Sequence, residues 1–258
     1  VNFGGVALSG LVNNRRKYGP GLPGIAHMRH THLKENLFTP GEGAHGAELA
    51  EDLVRFVNLY GAENIAACFV EPIAGSTGCL VPPRGYLERL REICDQHGIL
   101  LVFDEVITGW GRTGQAFAAQ SFDVTPDMIT MAKAVTNGAQ PMGVVAVSER
   151  IHDTIMAAAP EGAIEFFHGY TYSGHPAACA AGLATLDIYR RDNLFERGRA
   201  LSPYFLDALF SLRDLPVVTD IRGYGMLGAL DVAVDGAPGK RGHLLQKKLF
   251  DNGLHLKT

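Results

Sequence analysis

An α/β fold built on a mostly parallel sheet is predicted by three features of this 258-residue chain. Two apolar runs, residues 65–70 and 99–103, each end abruptly in acid: Glu71 after the first, Asp104 and Glu105 after the second. A segment of helical period, residues 84–97, separates them and is closed by Gly98. Strand, loop, helix and strand in that order make a βαβ unit, which implies parallel pairing. In such sheets ligands lie outside the carboxyl ends of the strands, where all three acids fall.

Residues 1–45 are rich in glycine, proline and histidine and read as loops and short elements, with Arg15-Arg16-Lys17 in a solvated turn. Residues 47–60 form an amphipathic helix with Ala50, Leu53, Val54, Val57 and Tyr60 on one face and Gly61 as its stop. The first run follows as a buried strand. The helix over 84–97 turns Tyr86, Leu87, Leu90, Ile93 and Cys94 to the core, and the second run is the next strand. Further on come a short strand at 143–147 and helices at 151–159, 176–190 and 194–212. Alternating strands at 217–221 and 227–234 and a last helix at 242–250 complete the chain. Beyond residue 193 the order becomes helix, strand, strand, helix, so a domain boundary is placed there: 1–192 and 193–258.

Hydrophobic residues make up 47% of the chain and charged residues 19%, as in ordinary globular proteins with ample core. A net charge of -4 argues against broad electrostatic binding to nucleic acid or anionic lipid. Cys68, Cys79, Cys94 and Cys179 are dispersed without CxxC spacing, the pattern of free thiols in a reducing compartment. No apolar run approaches the ~18 residues that span a bilayer, and no signal peptide opens the chain. A cytoplasmic protein without membrane or nucleic-acid partners is expected. Val1 at the start and the extended GLHLKT at the end lead us to expect part of a longer protein.

His27, His30 and His32 in HMRHTH raise a metal site, but no second ligand cluster supports one, and none is expected. Gly223, Gly225 and Gly228 match G-x-G-x-x-G, yet a strand follows where a helix should open, which points to a strand turn rather than a dinucleotide site. Neither a G-x-S-x-G elbow nor a P-loop sequence is present. Strand alternation forbids Asp104 and Glu105 from facing one ligand, so one of them faces a helix or solvent. Asp104 reads either as a site acid or as a strand-end cap paired with arginine. Lys133 lies in the otherwise uncharged MITMAKAVTNG. Its apolar neighbours suggest a buried stem and a desolvated amine nucleophile, with a surface lysine as the bland reading.

Taken together and in order, VFDEVITGWGRTG, MAKAVTNG and HGYTYSGHP resemble the class III (omega) aminotransferases of the fold-type I pyridoxal-phosphate enzymes. Within them the chain looks most like the omega-amino acid–pyruvate (β-alanine–pyruvate) transaminases. The resemblance covers essentially the whole chain. It implies a three-layer αβα large domain, truncated at its start, followed by the beginning of a small C-terminal α+β domain. It further implies that Lys133 carries the Schiff base to pyridoxal 5'-phosphate and that Asp104 bonds the pyridine nitrogen. Val106 packs on the ring, Thr171 bonds the phosphate of a neighbouring subunit, and Glu71 lies near the cofactor, with Ser76 toward the substrate pocket. A homodimer with a shared site follows from the role of Thr171.

The implied reaction moves an amino group from an omega-amino acid or amine to pyruvate. The family's Gly-Ser phosphate cradle, its ring-stacking aromatic-His-Gly and its substrate-carboxylate arginine have no counterpart in these residues. Two alternatives therefore stand beside the main expectation: another class III activity, such as an aminomutase or a different amine donor, and an inert chain that keeps only the fold.

Overall fold

The computed structural model describes residues 3–19 and 21–258. Its centre is a four-stranded sheet in the order β1 (Ala67–Val70), β2 (Leu100–Asp104), β3 (Met128–Met131), β4 (Val144–Val147). The pairs β1·β2 and β2·β3 are parallel, and β3·β4 is antiparallel. Parallel β1 and β2 need a crossover, and α4 (Tyr86–His97) supplies it.

Ahead of the sheet lie two short helices, α1 (Phe3–Leu8) and α2 (Val12–Tyr18), and then α3 (Glu51–Tyr60), entered through a 3-10 turn at Ala47–Ala50. The remaining helices are α5 (Ala118–Ser121), α6 (Glu149–Ala157), α7 (Pro176–Arg191), α8 (Leu194–Phe210) and α9 (Lys240–Asp251). Between α8 and α9, β5 (Val218–Tyr224) and β6 (Leu227–Val232) form an antiparallel hairpin.

The core lies between α3, α4 and one face of the sheet. Tyr86, Leu87, Leu90, Ile93 and Cys94, the apolar stripe expected of α4, are all buried, and they meet Leu53, Cys68, Leu101 and Phe103. Gly98 closes α4 in a left-handed conformation, its N–H bonding back to Cys94. The hairpin packs onto the same body. Tyr224 stacks near Phe122 at 5.0 Å, and Arg222 donates to the Gly78 carbonyl.

The structure departs from the sequence expectations in two places. Arg15-Arg16-Lys17 lies on α2 rather than in a turn, with all three cations in its last turn, where the helix dipole favours them. Residues 128–131, to which the sequence reading assigns no element, are strand β3: its four residues extend from Asp127, whose carboxylate receives the Leu101 N–H at 2.8 Å. Gly223 and Gly228 pair across the hairpin, and Gly225 turns it at φ +60°, so these glycines open no helix. No helix among the described residues is long and apolar enough to cross a membrane.

Candidate active site

Because β1, β2 and β3 run parallel, their carboxyl ends share one edge of the sheet, and Glu71, Asp104 and Lys133 lie at that edge. Glu71 follows β1 directly, and Asp104 is the last residue of β2, in register with Thr130 of β3. Lys133 stands three positions beyond Thr130, at the start of a 3-10 turn, Lys133–Val135. Burial pushes the Glu71 carboxyl above its ordinary range; the Asp104 charge adds to the rise, and the Gly75 N–H and the Lys133 ammonium oppose it. Glu71 therefore senses both Asp104 and Lys133.

Each acid has a distinct attachment. Asp104 Oδ1 accepts from the Val106 N–H at 3.0 Å, a local turn that fixes the carboxylate and the Val106 backbone together. Glu71 Oε2 accepts from Gly75 N–H at 3.0 Å. A Cβ on Gly75 would come within 2.7 Å of Ile107, so the loop after β1 lies tight against the residue that follows Val106. Glu105 points the other way and is fully buried. It accepts from Ala118 N–H at 2.6 Å, Ala119 N–H at 2.9 Å and the Thr108 hydroxyl at 3.1 Å. A carboxylate at the N-terminus of α5 satisfies donors that the helix leaves free. Asp104 and Glu105 thus part to opposite sides.

Lys133 differs from expectation in its surroundings: it is exposed. Met128, Ile129 and Met131 before it belong to β3, and the lysine emerges past the strand end instead of being wrapped by them. Its backbone has φ +46°, a left-handed conformation that costs a non-glycine residue about 1–3 kcal/mol. Ser76 is exposed on the loop after β1. Thr171 is exposed in a turn at 171–174, and no hydrogen bond joins it to the Asp104–Lys133 group among the described residues.

Two residues of this neighbourhood escape motif reading. Thr130 is paired with Asp104 inside the unread strand. Tyr189, on α7, donates its hydroxyl to the Ala134 carbonyl at 2.8 Å, next to Lys133. The buried face of α7, Ala178, Gly182, Thr185 and Tyr189, recurs at helical spacing, which was a usable signal.

The three HMRHTH histidines do not converge. His27 Nε2 lies 3.2 Å from Arg15, His30 Nδ1 accepts from His32 N–H, and His32 Nε2 is 3.9 Å from Asp220. His32, Asp220 and Asp231 do approach within 4.8 Å of one another. Arg222, however, donates to both carboxylates and already supplies their counter-charge.

Comparison with known proteins shows the family and the fold. The chain is 52% identical over 260 residues to an omega-aminotransferase of Caulobacter vibrioides, covering 100% of this chain and 59% of that protein. It is 50% identical to a beta-alanine–pyruvate aminotransferase of Pseudomonas aeruginosa, covering 100% and 58% respectively. The chain thus spans somewhat under three fifths of these relatives' length. Among solved structures, the omega transaminase from Pseudomonas jessenii in complex with PMP superposes with a TM-score of 0.87 at 32% identity, covering 99% of this chain and 58% of that one. An (S)-enantioselective omega-transaminase from Thermomicrobium roseum gives a TM-score of 0.82 at 35% identity. The architecture is that of fold-type I transferases. Residues 3–258 match the family model described as Aminotransferase class-III, and the chain belongs to that family.

Proposed function

We propose that this chain carries the central part of a pyridoxal-phosphate site and serves a transaminase that moves an amino group from an omega-amino acid or amine to pyruvate. The observation that carries the reading is the meeting of Asp104 and Lys133 at the ends of adjacent parallel strands, with Glu71 sensing both. The donor set fits the cofactor: an amine for an aldehyde carbon, a carboxylate for a pyridine nitrogen, and a valine two residues on for a ring face. When bound, pyridoxal phosphate supplies an electron sink for a carbanion.

Lys133 Nζ would hold the cofactor by its aldehyde carbon and, once displaced by the substrate amine, would be the base that carries a proton from the amine-bearing substrate carbon to the cofactor. The Asp104 carboxylate would hold the pyridine N–H through a charge-assisted bond, which would keep that nitrogen protonated. Val106 lies beyond the end of β2 in a turn, not on the strand face that alternation suggested, and its N–H bond to the Asp104 carboxylate would set it against the ring. Glu71 anchors the loop after β1 beside it. The exposed segment around Thr171 is read as reaching a second subunit's phosphate, which makes the working unit a homodimer. Phe167 at 94% and Tyr172 at 84% exposure support that reading, since large apolar surface of this kind is normally covered.

The same reading divides the chain into 1–192 and 193–258; Asn193, left-handed at φ +49° between α7 and α8, supports a break there. Four free cysteines accord with a cytoplasmic setting. Pyruvate and β-alanine are favoured by the names of the relatives at 50% identity and above, whereas a putrescine–pyruvate aminotransferase of Pseudomonas aeruginosa stands at 35%.

The test is direct. The chain is mixed with pyridoxal phosphate, reduced with borohydride and digested; the adduct should map to Lys133. β-Alanine should abolish the cofactor's absorbance at the adduct band and pyruvate should restore it. A Lys133→Ala protein that still yields the adduct refutes the assignment of the amine. A wild-type chain that forms no adduct favours the inert reading.

A further inference from the structure

The turn that presents Lys133 combines two unfavourable features. Lys133 at φ +46° and Asn137 at φ +51° are both left-handed, and neither is glycine. Such a conformation persists only where its surroundings over-determine it. The bonds inside the turn are long: Val135 N–H to the Ala132 carbonyl at 3.2 Å and Thr136 N–H to the Lys133 carbonyl at 3.3 Å. A shorter one comes from outside. The Tyr189 hydroxyl donates to the Ala134 carbonyl at 2.8 Å, and it also engages the Asn137 side chain. One phenol therefore grips the turn near both of its strained residues.

The phenol is itself fixed. Its ring stacks on Trp110 at 5.8 Å and 13°, and on Phe195 at 5.0 Å and 29°. Trp110 belongs to the glycine loop that follows Asp104, and Phe117 meets its edge at 5.4 Å. Tyr189 is buried, at 9% exposure, on the α7 face that packs against the turn, where a Cβ on Gly182 would reach the Val135 carbonyl at 3.9 Å. A rigid aromatic stack thus links the loop behind Asp104 to the backbone beside Lys133.

We propose that Tyr189 is a positioning residue for Lys133: its hydroxyl, braced by Trp110 and Phe195, holds the strained turn that sets the amine beside Asp104 and Glu71. The inference rests on the reading of Lys133 as the reactive amine. Tyr189 touches neither substrate nor cofactor in this role. It reduces the set of directions the exposed lysine samples, which is where positioning gains rate.

Tyr189→Phe removes the hydroxyl and keeps the stack. In the chain without cofactor, amide hydrogen exchange at Val135 and Thr136 should quicken about fivefold, the scale of one lost hydrogen bond. Formation of the borohydride-trapped pyridoxal-phosphate adduct at Lys133 should slow by a similar factor. Ile93→Val, a core truncation on α4, serves as the control: it should lower the melting temperature yet leave exchange at the turn and the adduct rate as in wild type. A Tyr189→Phe protein with wild-type exchange and wild-type adduct rate overturns the proposal while leaving Lys133 as the amine. Equal slowing in Ile93→Val overturns it too, since the effect would then follow global stability. A wild-type chain without adduct at Lys133 overturns the underlying reading instead, and the exchange comparison still decides whether the hydroxyl holds the turn.

Discussion

Glu105→Gln replaces a buried group that accepts on both oxygens with one that accepts on a single oxygen. The Glu105 carboxylate is fully buried and receives the Ala118 and Ala119 N–H groups and the Thr108 hydroxyl. Burial raises its pKa, against the pull of those three donors. Linkage then has a definite sign: protonation favours the folded state, and stability falls as pH rises through the raised pKa. The Glu105 carboxylate uses both oxygens as acceptors. Glutamine does not, because one oxygen becomes an NH₂. If the NH₂ faces Thr108, the hydroxyl can rotate to accept, but the Ala118 N–H is left facing a donor. If it faces Ala119, that N–H is left instead. Either arrangement strands one buried helix N–H, at a cost of about 2 kcal/mol. For a chain of this length the melting temperature should drop by about 4–8 °C. Thermal melts near neutral pH measure the loss, and the Lys133 adduct assay should show wild-type stoichiometry, because Glu105 faces α5 and not the site. Unchanged melting together with a lost adduct would refute the reasoning and turn Glu105 toward the cofactor.

Glu71→Gln should do the opposite to stability. Its amide oxygen can still accept from Gly75, while the buried charge next to Asp104 is gone. Since the folded pKa of Glu71 is raised, wild type is penalised above that pKa, so the variant should melt higher near neutral pH and lose its advantage in acid. A variant that melts lower at neutral pH would contradict this. Arg222→Met, by contrast, removes the cation shared by Asp220 and Asp231 and the donor to Gly78. With Asp220 at 1% exposure the loss should be about 3–5 kcal/mol in urea unfolding. Adding Asp220→Asn should recover part of it, and a double variant weaker than the single one would count against the charge argument.

The fold was most legible where burial and period coincide. The α4 stripe repeats every three to four residues and is closed by a glycine, so its core face can be named residue by residue. The ends of β1 and β2 are equally readable, because an apolar run that stops at an acid marks where a strand leaves the core. Strand β3 is different. Its four residues, Met-Ile-Thr-Met, half of them β-branched, are too short a run to mark a strand by pattern alone. What makes it a strand lies elsewhere in the chain: pairing with β2 on one side and β4 on the other, and Asp127 tying its start to Leu101. The unassigned strand also bears on Lys133: of its apolar neighbours, Met128, Ile129 and Met131 belong to the sheet and do not wrap the lysine.

That difference bears on how the site works. If Lys133 were enclosed by its neighbours in sequence, its position would be a local property and α7 would be incidental. Instead the lysine is exposed on a turn of unfavourable backbone geometry, and the contacts that oppose relaxation come from residues far along the chain, Tyr189 above all. Asp104 is placed by the sheet and by its own turn to Val106, so the acid is fixed by local bonds and the amine by distant ones. Substitutions near Asp104 should therefore act over a few residues. Placement of the amine should respond to changes across α7 and the Trp110 loop, where sequence motifs for a Schiff-base lysine do not look.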